Sequence, residues 1–240
     1  TLQHNAEREY TNISKGGIVL NNQEEYIQQL EQVINKFLEP LKEIPFSVAI
    51  RALTGFEVLA FELSDERNKK LLEQLKEAAQ LGGKKAFKEG IVADRANEAG
   101  NRIEPFIIDA LNKVGLKADQ PITKNGKKKT TGYPDIQIED EWNRTIYLDC
   151  KTFNARTKNQ TFRTFYFSPS KNPKITKDAF HLLMSFELKP TKEKTFIPIS
   201  WGIYTLDKLK MQVKHEFNAG NKDLYTNETL LAEGKIKNDQ

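Results

Sequence analysis

Residues 134–151, "PDIQIEDEWNRTIYLDCK", constrain the fold more than any other stretch of this chain. Ile136 and Ile138 alternate with Asp135 and Gln137, and Ile146, Leu148 and Cys150 alternate with Tyr147, Asp149 and Lys151. Such a period of two is that of a strand, whose successive side chains leave by opposite faces. The acidic and polar turn over 139–144 joins the runs as antiparallel neighbours. Both apolar sets should meet one core, with Cys150 a small buried hydrophobe. Asp135, Asp149 and Lys151 are then expected together on the opposite, exposed face. Pro134 fixes its own φ and biases Tyr133 to an extended shape, so Asp135 should sit where a strand begins.

That constellation has a chemistry. Two adjacent carboxylates repel unless a cation lies between them. Mg²⁺ takes oxygen ligands, commonly one or two carboxylates completed by water and phosphate oxygens. It polarises a phosphate and lowers the pKa of a water. A lysine alongside can orient or deprotonate that water and hold the phosphate by charge. The blander reading is a surface hairpin with ordinary charges.

Pro134-Asp135 followed, after the hairpin, by Asp149-Cys150-Lys151 resembles the PD-(D/E)xK nuclease motif. The wider pattern "YPDI…YLDCKT", with its basic continuation, is similar to orthodox type II restriction endonucleases, most closely the EcoRV-like branch, over roughly residues 100–188. The resemblance implies catalysis by Asp135, Asp149 and Lys151. The metal would be held by Asp135, Asp149 and the backbone carbonyl of Cys150. The family often places a glutamate on the preceding helix, and Glu104 in "GNRIEPFIIDALNKVG" flanks the stripe of Ile103, Phe106, Ile107, Ala110 and Leu111. Its plainer reading is an exposed helix carboxylate, and Pro105 beside it departs from a regular helix. The implied cofactor is Mg²⁺, with Mn²⁺ able to substitute and Ca²⁺ supporting binding without cleavage. The implied partners are double-stranded DNA carrying a short palindrome and a second copy of the chain in a homodimer. A methyltransferase would protect the host. Products would carry 5′-phosphate and 3′-hydroxyl ends, and the setting would be a prokaryotic cytoplasm. Alternatives are a DNA-repair nicking enzyme or junction resolvase of the same fold, and a DNA-binding module without chemistry.

Charge distribution points the same way. The chain carries 37 Lys/Arg and 33 Asp/Glu, a net +4. Residues 121–177 alone hold twelve basic against five acidic residues, so the remainder is net negative. No acidic residue falls between Asp149 and Asp178. A solvated face normally mixes both signs, so this one-sided run suits a polyanion. The candidates for DNA contact are Lys127, Lys128, Lys129, Asn154, Arg156, Lys158, Asn159, Arg163, Lys171, Lys174 and Lys177. Lys171, Lys174 and Lys177 are expected as phosphate clamps, and Asn154, Arg156 and Asn159 as readers of base edges. Phe162, Phe165, Tyr166 and Phe167 fit core packing better than base stacking. A single cysteine excludes an internal disulfide. His4, His181 and His215 are dispersed, which leaves no zinc spacing or histidine-pair nuclease motif. No phosphate-cradling glycine loop or membrane-length apolar run is present.

The remaining expectations concern architecture. The stripe from Tyr26 to Leu41 predicts an amphipathic helix capped by Asn22 and ended near Pro40. It would pack on its own core or form a dimer contact. "FSVAIRAL" and "FEVLAFEL" predict a β-hairpin. A helix capped by Ser64 should stop at Gly82-Gly83, followed by a polar connector. Helices are further predicted over 94–114, near 177–186 and over 207–217, and a strand over 195–206. The fold class is α/β: a restriction-endonuclease-like core with a central mixed sheet flanked by helices, and an N-terminal helix and β-hairpin extension. Residues 1–93 form the N-terminal region, 94–228 the catalytic and DNA-binding core, and 229–240 a polar tail, all expected within one compact domain.

Overall fold

A computed structural model of the chain describes residues 23–39, 41–94, 98–154, 165–192, 194–215, 220–224, 226, 228 and 230–232. The elements in chain order are α1 (Gln23–Leu38), β1 (Ile44–Pro45), α2 (Phe46–Thr54), β2 (Val58–Leu59), α3 (Glu66–Glu89), β3 (Ile91–Val92) and α4 (Ala99–Lys113). They continue with β4 (Lys117–Asp119), β5 (Ile136–Glu139), β6 (Thr145–Asn154), β7 (Ala179–Lys192), β8 (Thr195–Thr205), β9 (Lys210–Met211) and α5 (Asn221–Leu224). Helices α1 and α5 belong to one compact unit, and Glu43–Met211 form another. In the first, α1 forms as its period predicts, with Ile27, Leu30, Val33 and Phe37 exposed.

The second unit is built on a mixed sheet in the order β3-β8-β7-β6-β5-β4. Strands β6 and β7 run parallel, while the other neighbours along that path are antiparallel. Short β2 pairs in parallel with the first two residues of β7. One sheet face packs on α3 and α4 through Leu71, Leu75, Ile103, Ile107, Ile136, Ile138, Ile146, Leu148 and Met184. Each such fully buried aliphatic side chain contributes about 1.5–3 kcal/mol of transfer free energy. The other face is covered as well, by Phe46 and Ile50 of α2 together with Ile175, Leu206, Phe165 and Phe167. The mixed α/β class is therefore as expected, and among the described residues no helix is long and apolar enough to cross a membrane.

Three local expectations are overturned. "FSVAIRAL" is helix α2 rather than half of a hairpin, because its polar Ser47 and Arg51 and its buried Phe46 and Ile50 are each four residues apart. Residues 179–192 are the central strand β7 rather than a helix, since Leu182, Met184, Phe186 and Leu188 alternate into the core. Residues 207–215 hold β9, with no helix among them, where a helix over 207–217 was expected.

Helix α3 also runs past its expected stop. Asp65 caps it, its side chain accepting the Arg67 N–H at 2.8 Å, and Gly82 and Gly83 lie inside and buried. A Cβ on Gly82 would come within 2.7 Å of Ile107 Cδ1 and 3.0 Å of the Phe106 carbonyl oxygen. Gly82 therefore lets α4 pack close against α3, Gly83 faces Phe186 of β7, and the helix ends at Gly90. Gly82→Ala should lower stability by about 1–3 kcal/mol through overpacking, outweighing the gain of about 1 kcal/mol in helix propensity. Chemical denaturation measures this, and an unchanged midpoint would mean that α4 can move aside.

Candidate active site

Strands β5 and β6 pair Ile136 with Leu148 and Ile138 with Ile146. Carried one step further, this register sets Asp135 opposite Asp149, and the Asp135 N–H donates to the Leu148 carbonyl at 3.2 Å. Asp135 Oδ2 accepts the Cys150 N–H at 2.8 Å, which holds the carboxylate against the neighbouring strand. Lys151 follows on the Asp149 face and brings Nζ to 2.6 Å from Asp149 Oδ2 and 3.8 Å from Asp135 Oδ2. The alternation in the sequence thus places all three charged groups together.

The face they share is not open. Asp149 is only 2 % exposed and Tyr147 is fully buried, because α2 and residues 165–175 cover this side of the sheet. Burial first, and then the Asp135 charge, raise the Asp149 carboxyl from 3.8 to about 7, against the opposing pull of Lys151. Burial lowers the affinity of Lys151 for its proton, but Asp149 and Asp135 outweigh it, so the ammonium stays charged. Although Lys151 Nζ is close enough to Asp149 Oδ2 for an ion pair, that buried oxygen has no partner in hydrogen-bond geometry. Both observations hold together: charge attraction at this distance needs no particular angle, and a lone pair is left over.

Half-buried Glu104 belongs to the same electrostatic cluster. Burial, then Asp135, raise its carboxyl to about 8, while Lys151 and Lys174 oppose the rise. Pro105 sits inside α4 without ending it. Among the described residues no three His, Cys, Asp or Glu side chains form a ready metal cage. Two facing carboxylates with an unused lone pair nevertheless fit a cation that keeps water and takes phosphate oxygens.

The basic candidates divide. Lys127, Lys129, Lys171 and Lys177 are exposed. Lys128 is exposed too, but its ammonium pairs with Asp119. Asn154 ends β6. Arg156, Lys158, Asn159 and Arg163 lie outside the described residues, as does Phe162. Lys174 is a correction: it is 4 % exposed and cannot act as a surface phosphate clamp. Its Nζ donates instead to the carbonyls of Gly132 at 2.5 Å and Pro134 at 2.6 Å. Phe165 and Phe167 pack around Phe46, as core residues should, whereas Tyr166 is exposed.

Sequence reasoning missed two buried polar groups, one beside the site and one at the far end of β5. Tyr133 Oη and His181 Nδ1 lie 2.6 Å apart, within the aromatic layer of Phe46 and Tyr147. Burial lowers His181 to about 3, so the ring is neutral. At the turn before β6, buried Asp140 accepts the Arg144 guanidinium at 2.7 Å, and Arg144 also reaches Asn68 of α3 at 2.7 Å. Tyr133 and His181 carried no local signal, since only the fold brings them together, whereas Asp140 and Arg144 stand four residues apart in one turn and their pairing was open to a local reading.

A model of the type II restriction enzyme MjaV family matches residues 14–228. The chain belongs to that family. It is 37 % identical over 228 residues to the type II restriction enzyme MjaV of Methanocaldococcus jannaschii, an alignment covering 88 % of this chain and 98 % of the relative. No solved structure matches it. Membership makes the chain a site-specific deoxyribonuclease acting on DNA, as the resemblance of residues 134–151 implied.

Proposed function

We propose that this enzyme of the MjaV family cleaves both strands of a short palindromic DNA site by Mg²⁺-dependent hydrolysis at a PD-(D/E)xK site. The observation that carries this reading is the cross-strand pair Asp135 and Asp149, with Lys151 Nζ 2.6 Å from Asp149 and an unused lone pair on the buried Asp149 Oδ2. Asp135, Asp149 and the Cys150 carbonyl would hold the ion. When bound, it supplies Lewis-acid polarisation of the scissile phosphate and neutralises developing charge.

The chain's own groups do the rest. The Lys151 ammonium holds a phosphate oxygen and orients the attacking water. Glu104, whose carboxyl burial and then Asp135 raise to about 8, can take up or release a proton beside that water. The water oxygen bonds to phosphorus, the P–O3′ bond breaks, and the products carry a 5′-phosphate and a 3′-hydroxyl. Exposed Lys127, Lys129, Lys171 and Lys177 would contact phosphates, and Asn154 a base edge. Cutting both strands symmetrically calls for two such sites related by a twofold axis, hence a homodimer. A methyltransferase of matching specificity would protect host DNA.

Plasmid digestion tests this reading. Cleavage should require Mg²⁺ or Mn²⁺, stop with EDTA, and give fixed fragments whose ends are ligatable without kinase treatment. Ca²⁺ should permit binding only. Undiminished cutting in EDTA would remove the metal, and ends needing kinase would reverse the bond assignment.

A further inference from the structure

Lys174 is a buried cation that the cleavage reaction above does not use. Surface phosphate clamps are exposed and adaptable, whereas this ammonium is enclosed and donates to two carbonyls forty or more residues away in sequence. Those carbonyls, of Gly132 and Pro134, bracket Tyr133 and lead directly into Asp135. Burying an ammonium is costly unless opposite charge compensates it. Burial does lower the Lys174 proton affinity, but Asp135, Glu104 and Asp149 all favour its charged form. The backbone around Lys174 is itself tied down. The Lys124 N–H donates to the Pro173 carbonyl at 3.0 Å, the Asn125 N–H to Asn172 Oδ1 at 3.0 Å, and the Thr176 N–H to Tyr147 Oη at 2.9 Å. The head group is therefore delivered from a fixed point.

We propose that Lys174 is a positioning residue, which pins the 132–134 turn so that Asp135 faces Asp149 at the spacing a divalent ion requires. The inference rests on the proposed metal site. The segment that carries Lys174 also presents Lys171 and Lys177 to solvent. One tie thus joins the strap that would lie against DNA to the carboxylate that would hold the ion. Ion and DNA should accordingly strengthen each other's binding through Lys174, and by the same factor in each direction.

The test uses Mn²⁺ and the full chain. Electron paramagnetic resonance counts Mn²⁺ bound to DNA-free wild type, Lys174→Met, Lys174→Arg and Asp149→Asn. Lys174→Met should bind Mn²⁺ about tenfold more weakly, the lower end of what lost outer partners of metal ligands produce. Its DNA affinity in EDTA should stay within about twofold, with an unchanged salt slope, whereas losing a phosphate contact would flatten that slope by about 0.9. Ca²⁺ should tighten DNA binding by wild type and fail to do so for Lys174→Met. If Lys174→Met does not fold, Lys174→Arg decides. Its larger head cannot keep both short carbonyl contacts and should show the same weakened Mn²⁺ binding. Mn²⁺ affinity within about twofold of wild type in the folded variant overturns the inference, as does a flattened salt slope. Equal Mn²⁺ binding by wild type and Asp149→Asn would instead show that the metal site itself is misassigned, and the inference falls with it.

Discussion

Asp149→Asn should abolish cleavage, by at least about a thousandfold, well beyond the roughly 10–100-fold typical of outer-shell partners, while making the metal-free protein more stable at pH 8. The first effect follows from losing one of the two facing carboxylates proposed to hold the ion. The second follows from linkage. Burial raises the folded-state Asp149 carboxyl from 3.8 to about 7. Its contribution to stability is then complete below the unfolded value and is lost as pH climbs through the folded one. At pH 8 wild type has given that contribution up, whereas asparagine never titrates. The melting temperature of the variant should therefore exceed that of wild type at pH 8, by about 2–4 °C for each kcal/mol recovered. The gap should narrow at pH 5. Glu104, raised in the same direction, adds to the loss as pH climbs, while His181, lowered to about 3, contributes stability that rises with pH up to its unfolded value. Asp135→Asn should lose activity similarly. Scanning calorimetry with a plasmid assay checks both halves. Near wild-type cutting would end the site assignment, and a variant less stable at pH 8 would mean that the ion pair with Lys151 dominates Asp149.

Lys151→Ala should slow the chemical step by at least about a hundredfold, the usual scale of a positioned charge or proton-transfer group. Here stability moves the other way. With the ammonium gone, Asp135 and Asp149 lose their ion-pair partner and repel each other with less compensation, so the metal-free variant should melt lower at pH 8. Divalent ion should restore most of that loss. Cys150→Ser is the contrasting control, because the thiol points into the layer under α3 and α4 and is 3 % exposed. It should lose stability through a buried hydroxyl while retaining far more activity than Lys151→Ala. Single-turnover rates in Mg²⁺ separate the two. If Cys150→Ser proved the slower enzyme, the assignment of faces along β6 would be reversed.

How much of this could be read beforehand depended on how local each signal was. The alternation in β5 and β6 is a property of adjacent residues, so the meeting of Asp135, Asp149 and Lys151 was legible. Residues 46–54 were misread because in so apolar a run a period of two and a spacing of four overlap, and the packing of Phe46 and Ile50 against the sheet chose the helix. Strand β7 lies in the sheet interior, parallel to β6 on one side, so His181, Leu182, Leu183 and Met184 run on with little polar alternation, as sheets covered on both faces do. The burial of Asp149 was illegible in principle, since its cover comes from segments distant in the chain. Lys174 shows the same limit: counted by charge it belonged to a basic surface, and only the fold brings two carbonyls to meet it.

The second aromatic layer bears on how such an enzyme could acquire a new target sequence. Phe165, Phe167 and Ile175 stand in the stretch that follows β6, where recognition contacts were expected, and they also cover Tyr147 and Phe46. A redesign that randomises this stretch wholesale would trade away folding along with specificity. Variation confined to the outward positions, Tyr166, Lys171 and Lys177, leaves that cover in place. Libraries drawn that way should yield a larger share of foldable enzymes than libraries of equal size spread evenly over the segment.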